Sequence, residues 1–179
     1  MFIDEVAEAI KDVAAAEVLP RFKALAAGEV SEKSPGDFVT IADQECERVL
    51  SERLRAIRDV PVVGEEATAA DPTLLDQVGS ADAAWIVDPI DGTKNFVNGD
   101  PDFVVMVAFV EMGATTAAWI WHPERDALLA ARRGGRTHRN GMAVVAPERS
   151  DIAGVLKSCL LYTSPSPRDA TLSRMPSSA

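Results

Sequence analysis

The segment WIVDPIDGTKNF, residues 85–96, is the most informative stretch of the chain. It starts with three apolar residues, which predict a buried strand that ends at Asp88. Pro89 then restricts the backbone and removes a donor, while Gly92 permits a tight bend. Asp88 and Asp91 therefore lie three positions apart on a rigid turn, where their carboxylates can converge on one cation or bridge two.

The same turn offers further oxygen and nitrogen groups. The exposed carbonyl of Ile90 could supply a third oxygen, and Mg²⁺ prefers hard oxygen ligands in near-octahedral geometry. If a helix begins after Gly92, its free N–H groups could hold a phosphate. The alternative is structural: Asp-Pro and Asp-Gly are common turn dipeptides, so the segment by itself could be only a turn.

Acidic residues recur at two earlier points. Gly64-Glu65-Glu66 directly follows a short apolar run, and GDFVTIAD, residues 36–43, ends in Asp43. Together the three clusters supply the carboxylates that a two- or three-metal phosphatase needs to activate water. Taken singly, Glu-Glu after glycine and Asp43 after Thr40 are also ordinary first-turn charges of helices.

Hydrophobic periodicity predicts the remaining architecture. Apolar residues at helical spacing predict one helix over 2–13, which Pro20 interrupts or kinks, and a second that starts at Thr40 in a capping box and runs through Ile57. Residues 28–36 are predicted to be a polar loop, and 67–84 a loop or short helix. Strands are predicted at 60–63, 85–87, 103–110, 115–121 and 128–131, with a hairpin at 137–141. Two helices followed by adjacent strands predict an α+β fold with a helix layer on a mostly antiparallel sheet.

The formal charge of −10 restricts the partners. Nucleic acid and anionic membrane surfaces both require a basic face, so neither is expected. A phosphate substrate would need a bound metal to neutralise it. No apolar run is long enough to span a bilayer, the N-terminus lacks the pattern of a signal peptide, and two cysteines with no metal-type spacing do not suggest a disulfide framework. The expected location is cytoplasmic.

The three acidic clusters, in this order, resemble the inositol monophosphatase family of magnesium-dependent, lithium-sensitive phosphatases. WIVDPIDGTKNF resembles its Asp-Pro-Ile/Leu-Asp-Gly-Thr signature, GDFVTIAD its upstream Asp-x-Val-Thr-x-x-Asp segment, and VVGEE the Gly-Glu-Glu between them. The resemblance runs to about Val155. It implies a layered α/β sandwich of the inositol monophosphatase/sugar phosphatase type, here truncated to the N-terminal helix-plus-antiparallel-sheet portion.

The resemblance also implies a set of Mg²⁺ ligands. Glu65, Asp88 and the Ile90 carbonyl would hold a first ion, and Asp88 and Asp91 would share a second. Glu65 would touch a third, weaker ion.

The implied activity is hydrolysis of a small phosphate monoester by metal-activated water, without a phosphoenzyme. Asp43 and Thr93 would orient and deprotonate the water, and the backbone N–H groups of Gly92 and Thr93 would bind the phosphate. The implied substrate-binding set is Glu65, Ile90, Asp91, Gly92 and Thr93.

Departures from the family pattern leave the substrate open. Lys94 replaces a second Thr common in members that act on inositol phosphates. A Lys there resembles 3′(2′),5′-bisphosphate nucleotidases, but those continue with Glu-Phe whereas this chain has Asn95-Phe96. An inositol monophosphate or related sugar phosphate is the leading expectation, and a bisphosphate nucleotidase or histidinol-phosphatase is the alternative.

The end of the chain changes character at residue 159. Residues 159–179 are rich in Ser and Pro, and a reverse translation of them resembles a sequencing-library adapter. We therefore expect 1–158 to be the N-terminal part of the phosphatase domain and 159–179 to be a non-native, disordered tail. The family's Trp-Asp-x-Ala-Ala-Gly-type segment, whose Asp completes the second metal site, does not occur. A third hypothesis is thus an inactive, metal-binding fragment of a parent that, by resemblance, is a homodimer.

Overall fold

The computed structural model describes residues 2–145, and the predicted tail at 159–179 and its boundary at 158 lie outside them. The described residues form an α+β fold of helices and strands. The α-helices are α1 (Ile3–Val13), α2 (Ile41–Ile57), α3 (Glu65–Ala70), α4 (Asp76–Ser80) and α5 (Thr93–Val97). None of the helices in this part of the chain is long and apolar enough to cross a membrane.

The strands form a two-stranded hairpin and a seven-stranded sheet. The hairpin joins β1 (Val30–Ser34) and β2 (Asp37–Thr40), and the sheet contains β3 (Val62–Gly64), β4 (Ala83–Asp91), β5 (Val104–Glu111), β6 (Ala114–His122), β7 (Ala127–Arg132), β8 (His138–Arg139) and β9 (Met142–Ala143). In the sheet the strands lie in chain order; β3 and β4 are parallel, and the other neighbours are antiparallel. The prediction of a mostly antiparallel sheet is confirmed.

The first helix ends gradually rather than at one residue. After α1 the chain continues through a π-helical turn, Ala14–Val18, and a short 3₁₀ turn, Leu19–Arg21, that contains Pro20. The next residue, Phe22, adopts extended angles. Proline is tolerated in the first turn of a helical segment because an N–H there would have no partner within the helix, so Pro20 fits the start of this 3₁₀ turn. The helical path ends at Arg21, and the predicted interruption at Pro20 is confirmed.

The core lies between one face of the sheet and helices α1 and α2. Trp85, Phe109 and Trp119 are fully buried at its centre, with ring centroids of Trp85 and Phe109 4.4 Å apart. The indole nitrogens donate to backbone carbonyls, Trp85 to Arg58 at 3.2 Å and Trp119 to Ile3 at 3.0 Å. These aromatic side chains therefore anchor the helices on the sheet without leaving a buried donor unpaired.

Two predicted boundaries were wrong. The predicted polar loop at 28–36 contains β1, which the sequence did not reveal because its side chains are mostly polar and exposed, without apolar alternation. The strand predicted to end at Asp88 continues as β4 to Asp91, with a register shift against β5 between these two residues. Pro89 lacks the N–H that a regular ladder requires, so the strand bends there rather than ending.

Two local predictions are confirmed. Asn140 and Gly141 both have positive φ, 48° and 79°, between β8 and β9, as a type I′ turn requires. The segment 67–84, expected to be a loop or short helix, contains α3, α4 and a short 3₁₀ turn.

Candidate active site

The N-terminus of α2 is closed by a reciprocal cap. Asp43 is fully buried, and its Oδ2 accepts hydrogen bonds from Thr40 N at 2.7 Å and from Thr40 Oγ1 at 2.5 Å. Thr40 Oγ1 in turn accepts from Ala42 N at 3.1 Å. The predicted capping box is confirmed, and it fixes the Asp43 carboxylate in one orientation.

The other oxygen of Asp43 faces the turn at the end of β4. Thr93 Oγ1 lies 3.1 Å from Asp43 Oδ1 and 2.9 Å from the Ile90 carbonyl oxygen, so one hydroxyl proton is shared between two acceptors. Burial raises the pKa of Asp43, whereas the hydrogen bonds from Thr40 and Thr93 lower it and only partly offset the burial. The structure thus brings together the two residues that the sequence linked as a water-activating pair.

One oxygen of the Asp88 carboxylate lacks a partner. Its Oδ1 is buried and accepts no hydrogen bond. Burial is the largest cause that raises the pKa of this carboxyl, and together with the neighbouring charges of Glu65 and Asp91 it brings the pKa to about 7. A buried carboxylate beside two others is stable only if a proton or a cation neutralises it.

The rest of the turn is tightly packed. The Ile90 carbonyl, expected to be exposed, accepts the Thr93 hydroxyl and so keeps one lone pair for another partner. Gly92 has a φ of 95°, and a Cβ there would lie 3.0 Å from the Asp102 carbonyl oxygen. Glycine is therefore required at Gly92 by both conformation and space. The one-turn helix α5 begins directly afterwards, so its first N–H groups have no intrahelical acceptor.

Glu65 and Glu66 open α3, with Gly64 as the N-cap. Both carboxylates contact Lys33 of β1, whose Nζ lies 3.0 Å from Glu65 Oε1 and 3.0 Å from Glu66 Oε1. Burial alone would lower the pKa of Lys33, but its hydrogen bonds to Glu66 and Glu65 outweigh that effect and raise the pKa above its ordinary value. No role was predicted for Lys33, because nothing in the local sequence indicates that residue 33 contacts residue 65.

The donor chemistry suits a divalent cation, although the predicted ligand set is not assembled. Within residues 2–145, no three His, Cys, Asp or Glu side chains converge in an arrangement that could hold a metal ion. The Glu65 carboxylate contacts the Lys33 ammonium, which acts as a stand-in cation, and Asp88 Oδ1 stays unpaired. Carboxylate and carbonyl oxygens are the ligands that Mg²⁺ prefers, so the residues present fit this ion.

Glu47 is a second residue that the sequence analysis missed. Its Oε2 accepts from Glu66 N at 2.7 Å and its Oε1 from Ala67 N at 2.9 Å. Glu47 follows Asp43 by four residues, and this spacing places both carboxylates on one face of α2. This four-residue spacing was the feature of the sequence that could have indicated a role for Glu47.

Asp102, whose carbonyl lies beside Gly92, is held by several polar contacts. The Asp102 carboxylate pairs with Arg125 and lies 3.6 Å from His122 Nε2, and the Asp102 carbonyl accepts from Asn95 Nδ2 at 2.6 Å. These contacts hold the segment whose carbonyl crowds Gly92.

Comparison with known proteins identifies relatives of this chain. The family model described as "Inositol monophosphatase family" matches residues 2–177. The chain is 37% identical over 115 residues to an inositol-1-monophosphatase of Rhizobium meliloti, covering 63% of this chain and 40% of that protein. It is 33% identical over 141 residues to the Nus factor SuhB of Xylella fastidiosa, covering 78% of this chain and 47% of that protein.

Solved structures agree with the sequence relatives. An IMPase of Thermotoga maritima superposes with a TM-score of 0.66 at 28% identity, over 80% of this chain and 52% of that one. The suppressor protein SuhB of Bartonella henselae superposes with a TM-score of 0.60 at 27% identity, over 82% of this chain and 52% of that one. The chain thus spans about half the length of the relatives it matches. On the match over residues 2–177, it belongs to the inositol monophosphatase family.

Proposed function

We propose that this chain carries the metal-binding and water-activating part of a magnesium-dependent phosphomonoesterase that acts on an inositol monophosphate or a related sugar phosphate. The observation that carries the proposal is the buried, unpaired carboxylate oxygen of Asp88 beside Glu65 and Asp91. Such an arrangement costs folding free energy unless a cation neutralises it, so it indicates a binding function rather than a structural one.

Glu65, Asp88, the Ile90 carbonyl and Asp91 would hold the ion. When bound, Mg²⁺ would supply positive charge that polarises the phosphate and acidifies a water molecule. The chain has a formal charge of −10, so an ion at this position would also attract a phosphorylated substrate that the protein alone would repel.

Thr93 and Asp43 would move the proton. A water beside Thr93 can donate its proton to Oγ1 while the Thr93 hydroxyl passes its own proton to Asp43 Oδ1, 3.1 Å away. Burial raises the pKa of Asp43, which makes this carboxylate a stronger base than an exposed aspartate. The water oxygen would then attack phosphorus in line as the P–O bond to the leaving alcohol breaks, and solvent would protonate the leaving oxygen.

The phosphate would bind at the backbone N–H groups of Gly92 and Thr93. The left-handed conformation of Gly92 turns the chain into α5, and the free N–H groups there favour negative charge. Glu65, Ile90 and Asp91 would line the remainder of the substrate site. Lys94 is exposed next to this loop, where its ammonium could meet a second phosphate, and this observation keeps a bisphosphate nucleotide as an alternative substrate.

Phosphate release tests this function. The 179-residue chain and its Asp88→Asn variant are incubated with Mg²⁺ and inositol 1-phosphate, a 3′,5′-bisphosphate nucleotide or histidinol phosphate. Magnesium-dependent release that is lost in Asp88→Asn supports the proposal, and the preferred substrate selects among the alternatives. Magnesium-dependent phosphate release that persists in Asp88→Asn would show that Asp88 is not part of the active site.

The same assay distinguishes a fragment from an enzyme. The chain spans about half the length of its relatives, so residues beyond it can complete their sites. Magnesium binding without phosphate release would support the hypothesis that the chain is an inactive, metal-binding fragment. Absence of both would overturn the proposed function of this chain.

A further inference from the structure

Glu47 holds the N-terminus of α3 from a different helix. It is a buried charged residue, 7% exposed, and each of its carboxylate oxygens accepts one backbone N–H: Oε2 from Glu66 and Oε1 from Ala67. These are the second and third N–H groups of α3, which have no acceptor within the helix. The N-cap of α3 is Gly64, which has no side chain to bind them. Glu47 therefore supplies the cap that the local sequence lacks.

The fit between Glu47 and α3 is close. A Cβ built on Gly64 would lie 2.2 Å from Glu47 Cδ and within 2.5 Å of both carboxylate oxygens. Gly64 has a φ of −97° and a ψ of 158°, which any residue adopts, so a Cβ at this position would be opposed by space and not by conformation: the Glu47 carboxylate would have to move. The Glu47 carboxylate thus fills the space beside the backbone at Gly64 while it binds the next turn.

Glu65 lies between these two points of contact. Its predecessor Gly64 packs against the Glu47 carboxylate, and its successor Glu66 donates its N–H to the same carboxylate. The backbone on either side of Glu65 is therefore fixed, and with it the direction in which its side chain leaves the helix. Lys33 contacts the outer end of that side chain, whereas Glu47 contacts the backbone on either side of it.

We propose that Glu47 is a positioning residue for the cation ligand Glu65: it caps α3, packs against the backbone at Gly64, and so sets the orientation of the Glu65 carboxylate. This inference rests on the proposed function, because it takes Glu65 to be a ligand. Residues that orient a metal ligand without touching the metal typically change metal affinity ten- to a hundredfold when mutated.

Divalent-cation affinity provides the first test. Mn²⁺ serves as the probe because it takes the same oxygen ligands as Mg²⁺ and is detected by electron paramagnetic resonance. Glu47→Gln in the 179-residue chain keeps the size of the side chain but can accept only one of the two N–H groups. We expect its Mn²⁺ affinity to fall about tenfold. Glu45→Gln, on the exposed face of the same helix, is the matched control and is expected to bind as the wild type does.

A suppression experiment separates positioning from general damage. Gly64→Ala places a methyl group against the Glu47 carboxylate and is expected to weaken Mn²⁺ binding by more than tenfold. Adding Glu47→Ala removes the clash, so the double variant should bind Mn²⁺ more tightly than Gly64→Ala alone. Circular dichroism checks that each variant is folded. A double variant that binds more weakly than either single variant would overturn the close approach of Gly64 and Glu47.

Hydrogen exchange distinguishes failure of this inference from failure of the proposed function. The Glu66 and Ala67 amides should exchange at least tenfold faster in Glu47→Gln than in Glu45→Gln, whether or not a cation binds. If wild type binds no Mn²⁺, the proposed function fails, and the exchange rates still decide whether Glu47 caps α3. Faster exchange with unchanged Mn²⁺ affinity would overturn the positioning role. Unchanged exchange would overturn the cap itself.

Discussion

The two sides of the candidate site differ in how completely the chain satisfies them. On the side of Asp43, a fully buried carboxylate is bonded by Thr40 and Thr93, and both of its oxygens are used. On the side of Asp88, one carboxylate oxygen is buried without a partner beside two further acidic side chains. The first side is complete in the chain alone, whereas the second requires a positive charge.

The contrast has a simple physical basis. The hydrogen bonds to the buried Asp43 carboxylate offset part of the cost of burying it, whereas Asp88 Oδ1 accepts none and lies near like charges. Removing the Asp43 side chain leaves buried donors without their acceptor, whereas removing the charge of Asp88 relieves repulsion from its neighbours. Lys33, paired with Glu65 and Glu66, offsets only part of that repulsion because it does not reach Asp88 Oδ1. Substitutions on the two sides should then have opposite signs.

The largest effect is expected from Asp43→Ala. This substitution removes the Asp43 half of the capping box, leaves the Thr40 N–H and hydroxyl without their acceptor, and leaves the Thr93 hydroxyl with the Ile90 carbonyl alone. The free energy of unfolding should therefore fall by about 3 kcal/mol. Urea denaturation measures the change, with Glu45→Ala, which removes a partly exposed side chain of the same helix paired with Arg48, as the control expected to stay within about 0.5 kcal/mol. An equal fall in the free energy of unfolding in the two variants would contradict the role assigned to the hydrogen bonds of Asp43.

Asp88→Asn should act in the opposite direction in metal-free protein. With EDTA at pH 8 we expect the variant to be more stable by about 1 kcal/mol, a value reduced for the partial exposure of Asp88. Because burial and the neighbouring charges raise the folded-state pKa to about 7, the native state holds a proton that the unfolded chain has lost, and the wild type loses stability as pH rises from about 4 to 7. The advantage of the variant should therefore grow over that range and then level off. A pH-independent difference would contradict the assigned environment.

The link between Thr93 and Asp43 can be measured as a coupling energy. In a double-mutant cycle of Thr93→Ala and Asp43→Ala, the two changes should be non-additive by about 1 kcal/mol, because each removes the same hydrogen bond. The matched cycle of Thr93→Ala with Glu45→Gln should be additive. Additivity in both cycles would mean that the 3.1 Å contact contributes nothing to stability.

The smallest effect is expected from Lys33→Gln. Loss of the cation leaves Glu65 and Glu66 unpaired, and metal-free protein should be destabilised by about 0.5–1 kcal/mol at low salt, less in 1 M NaCl. Lys11→Gln, which breaks a 3.9 Å exposed pair with Glu8, is the control and should change stability less. A larger loss in the control would show that Lys33 is not the principal counter-charge of α3.

Local patterns in the sequence carried much of the fold. The capping box at Thr40 and Asp43, the Asn140-Gly141 turn and the central strands depend on neighbouring residues, and each is confirmed. The hairpin strand β1 was missed because polar strands have no apolar alternation. The predicted strand ended at Asp88 because proline commonly ends a strand, whereas here β4 bends at Pro89 and continues to Asp91.

At the candidate site, too, features that depend on local sequence were predicted and contacts between distant residues were not. The acidic residues were found because their types and positions at element ends indicate metal chemistry. Lys33 and Glu47 were missed because their partners lie 32 and 19 residues away in the chain, and only the packing of β1 and α2 against α3 brings them together. The roles of Glu65, Asp88, Ile90, Asp91 and Thr93 in binding cation and substrate stay predictions.

Calorimetric titration of Mg²⁺ into the 179-residue chain and into Asp88→Asn tests the central claim most directly. We expect saturable binding to the wild type and at least tenfold weaker binding to the variant, because Asp88 Oδ1 is buried without a partner and a cation would supply one. Equal affinity in the two proteins would contradict the claim that the turn at the end of β4 is a magnesium site.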